Sequence, residues 1–173
     1  MLRFRIAILI QKLGEKKQMI KISDVIDNME CISDDDRCYF HVQTQTFYSP
    51  INECLGIAEE YEEDDDLSGY PEWEREGILE AVEFLEHEDE YIALPNQFDI
   101  NEYEIMEDFC GNLDNQRIRN DLLNAIAGRG AFRRFKDTII QYNIEKQWYS
   151  FRDMAYKNIA IQWCEENDIE YIE

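Results

Sequence analysis

No apolar run in this chain approaches the ~18 residues that a helix needs to cross a bilayer, so no transmembrane helix is predicted. Glycine (7) and proline (3) are too scarce for collagen-like or low-complexity architectures among 173 residues. The five cysteines, Cys31, Cys38, Cys54, Cys110 and Cys164, are odd in number and scattered, with no CxxC pair. Neither a disulfide framework nor a zinc or redox motif is suggested, and free thiols in a reducing cytoplasm are expected. Only two histidines are present, His41 and His87. They lie far apart, and each reads as structural or exposed rather than as a general base. GxSxG, HExxH and P-loop motifs are absent as well, so nothing requires an enzyme.

Positive charge is scarce in one place. The chain holds 39 acids against 17 bases, a net charge of −22, yet residues 1–49 carry 7 acids and 7 bases. Residues 50–110 carry 22 acids and a single base, Arg75, whereas residues 111–173 carry 10 acids and 9 bases. A field of that sign repels phosphate backbones and anionic lipid and attracts basic partners. The favoured expectation is a solvated face whose acids are partly neutralised by arginines of the C-terminal helices.

What is present is a core. Apolar residues make up 45% of the chain and 22 of the residues are aromatic, which argues against wholesale disorder. Residues 22–29 predict a short helix with Ser23 as N-cap. The aromatic and β-branched runs 37–42 and 46–51 flank Gln43-Thr44-Gln45 and predict a β-hairpin. Residues 52–63 suit a helix, Asp64 to Tyr70 a loop, and Pro71 the start of a second helix. That helix should turn Trp73, Gly77, Ala81 and Leu85 inward. Tyr91 to Leu94 reads as a short strand or connector. Four helices then follow: one capped by Asp99, with Tyr103, Met106 and Cys110 on one face; one over about 115–127; one over about 130–142; and one over about 145–166. Ile169 to Ile172 can add a last strand. The fold expected is α+β, a small N-terminal helix and β-hairpin packed on a C-terminal helical bundle. Residues 1–18 are expected to be an N-terminal extension ahead of a start at Met19, since their five-residue apolar stretch is too short for a secretory signal. Residues 19–173 are expected to form one domain: 19–51 helix and hairpin, 52–90 acidic helices, 91–173 bundle.

Three constellations bear on chemistry. Asp64, Asp66, Ser68 and Gly69 match positions 1, 3, 5 and 6 of a calcium loop, but Arg75 replaces the required glutamate and Pro71 falls inside it, so no metal is expected. Glu102, Glu107 and Asp108 could pair for acid/base work, and a solvated helix surface explains them more simply. The segment Gly128 to Asp137 places four cations and two phenylalanines within eight residues. Cations interleaved with aromatics can grip phosphate while stacking on bases. The alternative is that Phe132 and Phe135 are core and the arginines are counter-ions for the central acids. Arg129, Gly130, Arg133, Arg134 and Lys136 are the candidate binding residues for an anion or a partner, and no catalytic residue is assigned.

The stretches Ala93-Leu94-Pro95, Phe98-Asp99-Ile100-Asn101-Glu102-Tyr103, Gly128 to Asp137, and Trp148-Tyr149-Ser150-Phe151-Arg152-Asp153 resemble an uncharacterised bacterial protein family, unassigned family zero-one-five-eight. The resemblance covers most of residues 19–173 and implies a single soluble bacterial domain with no activity to carry over. The reading that follows is a non-enzymatic cytoplasmic interaction or regulatory protein with a protein partner, no cofactor and no membrane. A nucleic-acid-associated protein using Gly128 to Lys136 is the alternative, ahead of an uncharacterised enzyme.

Overall fold

The computed structural model describes residues 19–32, 37–62 and 65–173, so the expected extension 1–18 lies outside the described residues. Strand β1 (Ile20–Lys21) runs into helix α1 (Ile22–Cys31) with no side-chain cap, so Ser23 sits inside the first turn rather than ahead of it. Strand β5 (Tyr171–Ile172) pairs parallel with β1, Ile20 opposite Tyr171, which joins the two ends of the described fold.

The hairpin forms as predicted, from β2 (Tyr39–His41) and β3 (Thr46–Tyr48). With no glycine in the turn, Gln45 takes the positive φ of 57°. His41 holds that turn: its Nδ1 accepts from the amides of Gln43 and Thr44 at 3.1 and 3.3 Å. Strand β4 (Tyr91–Ala93) pairs on the other side of β2, giving a three-stranded antiparallel sheet in the order β3-β2-β4.

Alternation sends the sheet's side chains to two covered faces. Phe40, Phe47 and Ile92 share one face and pack into the main core. There Phe40 meets Trp163 edge-on at 5.9 Å, and the Trp163 indole donates to the Ala93 carbonyl at 2.9 Å. Tyr39, Tyr48 and Tyr91 share the other face and ring Phe84 at 4.7, 5.4 and 4.9 Å. Phe84 belongs to α3 (Glu72–Glu86), which pairs with α2 (Asn52–Ala58) around a small second core of Cys54, Ala58, Ile78 and Ala81. Helix α2 is shorter than the predicted 52–63, ending where the acid run begins. The two helices approach closely at Gly77, where an added Cβ would stand 2.9 Å from Cys54 Sγ.

The rest of the main core comes from α4 (Glu102–Asn112), α5 (Gln116–Ile126), α6 (Ala131–Gln141) and α7 (Glu145–Glu166). Phe109, Phe135 and Trp148 meet edge-to-face within it. The architecture is mixed α+β with a helical C-terminal part, as expected. No described helix is long and apolar enough to cross a membrane.

Three inward assignments are corrected. Trp73 is 61% exposed, because Ile78, Ala81 and Phe84 form the covered side of α3. Tyr103 and Phe132 are also exposed, since Met106 and Phe135 already fill the covered ridges of their helices. The cap of α4 moves too. Asn101, not Asp99, accepts from the Glu104 amide, while the Asp99 carboxylate accepts from the Asn96 amide and closes a tight turn.

Candidate functional site

Helix α6 carries the predicted basic–aromatic segment and divides it in two. Phe135 is buried, whereas Phe132, Arg133, Lys136 and Ile140 face solvent along one ridge at helical spacing, with Arg129 just before the helix. Among the described residues, Arg129, Arg133 and Lys136 form no ion pair.

Arg134 does something else. Its guanidinium donates to the Ala125 carbonyl (Nε, 2.8 Å), the Ala127 and Gly128 carbonyls (Nη2, 2.8 and 3.3 Å) and the Arg129 carbonyl. It therefore satisfies an open carbonyl in the last turn of α5 (Ala125), that of its C-cap (Ala127) and two in the turn that follows (Gly128 and Arg129). Gly128 and Gly130 both adopt left-handed backbone, φ 77° and 79°, to turn the chain from α5 into α6. At Gly130 a Cβ would also stand 3.2 Å from Arg134 Nη1. The two glycines thus shape a corner around Arg134.

Among the described residues, Arg129, Arg133, Arg134 and Lys136 form no ion pair with the central acids they were expected to neutralise. The arginine that pairs with one of them is Arg152 of α7, which the charge pattern did not single out. Its Nε lies 3.1 Å from Glu102 Oε1 and its Nη1 2.8 Å from Glu30 Oε1. Tyr156 donates to the same Glu102 oxygen at 3.1 Å and offers its ring to the Arg152 guanidinium at 4.2 Å. The two carboxylates hold the Arg152 proton more tightly than usual, despite an opposing effect of burial. The node ties α1, α4 and α7 together. Glu102 is available for it because Asn101 takes over the capping. The signal in the sequence was the i, i+4, i+8 ridge of Trp148, Arg152 and Tyr156, an arginine between two buried aromatics.

Arg152 also lines a cavity of about 110 Å³ where three stretches of the family resemblance meet: Glu102 from the first, Phe132, Phe135 and Lys136 from the second, Trp148 and Tyr149 from the third. Glu107 and Asp108 stay on the exposed surface of α4 and do not join Glu102 there.

The acidic helices carry few counter-ions. Besides Glu102, the single carboxylate of residues 50–110 within 4 Å of a basic side-chain nitrogen among the described residues is Glu90, 3.5 Å from His41 Nε2. Asp66 accepts from the amide and hydroxyl of Ser68, both at 2.9 Å, so these two candidate calcium-loop groups bond to each other. Asp64 lies outside the described residues.

A family model described as an uncharacterised protein family, UPF0158, matches residues 72–173, less of the N-terminal part than the expected resemblance. The UPF0158 protein PA5073 of Pseudomonas aeruginosa is similar at 28% identity over 67 residues, 38% of this chain and 44% of that protein. The chain thus spans under half the length of this curated relative. No solved structure matches the chain. The matched region holds both the α5–α6 corner and the Arg152 node, and the chain belongs to the uncharacterised protein family UPF0158.

Proposed function

We propose that the protein is a non-enzymatic interaction or regulatory protein whose acidic helices α2 and α3 dock a basic protein partner. The observation that carries this reading is Trp73, 61% exposed on a helix whose polar face is almost wholly glutamate and lacks cationic partners among the described residues. Leu79 of α3 and Ile51, just before α2, add further exposed apolar surface. An exposed aromatic anchor within a ring of unpaired charge is the composition of a protein interface: the aromatic supplies affinity, the charge steers the encounter. Co-purification from a nuclease-treated native lysate tests it. A basic protein retained by the wild type should be lost with Trp73→Ala and released by moderate salt. Loss of the retained species on nuclease treatment alone would contradict the reading.

A second reading rests on the outer ridge of α6. Phe132, 48% exposed, directly precedes Arg133 and lies one turn before Lys136, neither of which forms an ion pair among the described residues, with Arg129 and Gly130 at the start of the helix. That arrangement suits a phosphate-bearing strand with a base stacked on the ring. Three cations predict a shallow salt dependence, a log–log slope of about −2 for single strands. They also act against the field of a chain of net charge −22, which is why this reading stands second. Fluorescence anisotropy with a single-stranded oligonucleotide should then show binding that Arg133→Ala with Lys136→Ala abolishes.

A further inference from the structure

A concavity of about 420 Å³ lies between β3 and α3. Its sheet side presents Tyr48 and Tyr91, whose ring centroids stand 6.1 Å apart at an interplanar angle of 58°. Its helix side presents Glu80 and Glu83, one turn apart on α3. The Tyr91 hydroxyl donates to Glu83 Oε2 at 3.0 Å, which leaves the other Glu83 oxygen without a bond to any described residue. Glu80 has no hydrogen-bond or ion-pair partner among the described residues. Ile51, at the rim, is exposed.

We propose that this cavity receives an arginine side chain from a basic peptide segment of the partner, an inference that rests on the docking role of the acidic helices. A guanidinium is planar and weakly hydrated, stacks on phenol rings, and pairs with carboxylates through a fixed fork of donors. Two tyrosine rings and two carboxylates facing one concavity offer both modes together. The phenols are protonated at neutral pH, as any phenol titrating near 10 is, and burial with the neighbouring glutamates pushes Tyr48 and Tyr91 further, up to about 12. They add dipoles to the site without adding charge. The methylenes of the entering side chain would lie against Ile51, and the peptide would run on toward the acids of α3. Charge complementarity selects this occupant: a carboxylate or phosphate ligand would meet Glu80 and Glu83 with no cation lining the cavity.

The test is isothermal titration of the full chain with a hexa-arginine peptide at about 20 mM salt. Glu80→Gln with Glu83→Gln should weaken binding at least tenfold, and Glu80→Gln alone at least threefold, since Glu80 holds nothing in the fold. The charge-matched pair Glu59→Gln with Glu60→Gln, whose side chains do not line the cavity, should change affinity less than twofold. Equal weakening by the two pairs would overturn the cavity as the arginine site and leave docking by the general acidic field standing. No binding by the wild type would overturn the docking reading and the arginine site together.

Discussion

Arg134 and Arg133 are neighbours in sequence with opposite roles. Arg134→Ala removes the donors from four carbonyls of the α5–α6 corner and should lower stability by about 1–2 kcal/mol in urea denaturation. Arg134→Lys should restore little, because an ammonium lacks the fork that spans four acceptors. Arg133→Ala should stay within about 0.5 kcal/mol of wild type. Equal losses for the two alanine variants would contradict the assignment. Arg152→Ala leaves Glu102 and Glu30 without their cation and should destabilise by about 1–3 kcal/mol, the lower end reflecting its partial exposure. Tyrosines supply the pH dependence. Burial and Glu80 push Tyr48 up to about 12, burial and the bond to Glu83 do the same for Tyr91, and burial with Glu102 for Tyr156. The fold therefore binds these protons more tightly than the unfolded chain, whose phenols titrate near 10. Their contribution is complete below pH 10 and is lost as pH rises through 12. Thermal melts across that window should show a steep fall, shallower in Tyr48→Phe, while absorbance at 295 nm shows part of the phenol titration delayed.

At the scale of elements, α7 was legible to its ends, Glu145 to Glu166, because apolar residues recur at helical spacing from Trp148 to Trp163, over about four turns. The hairpin was legible from its paired aromatic runs, even with Gln45 where a glycine was missing. The orientation of neighbouring ridges was not. Spacing places Phe132 and Phe135 side by side, but only packing by α5 and α7 decides that Phe135 is covered and Phe132 is not. The cap of α4 lies at Asn101 rather than Asp99, two positions that both suit a local cap, and Glu102 pairs with Arg152 instead of completing a capping box with Asp99. The cavity between β3 and α3 was illegible because it depends on β4 bringing Tyr91 beside Tyr48, two residues 43 positions apart. Helix α3 carries its own prediction. Trp73→Ala should leave stability within about 0.5 kcal/mol of wild type, as the indole is mostly exposed, while it removes partner binding. Substantial unfolding by this variant would place Trp73 in a core instead.

For the whole molecule the arrangement of charge is the main feature. The sheet is packed on one face by the main core and on the other by Phe84 of the acidic pair, which supports our proposal that residues 19–173 unfold as a unit in a single cooperative transition. Within that unit, 22 acids against one base over residues 50–110 are left almost without cationic partners among the described residues. Such crowding disfavours the compact state unless ions or a partner screen it. The most direct measurement is the melting temperature of the isolated protein between 10 and 200 mM sodium chloride. Outward, uncompensated acids predict a rise of several degrees as salt screens their mutual repulsion. A melting temperature that falls over the same range would mean that internal ion pairs hold the acidic segment, and it would contradict the account.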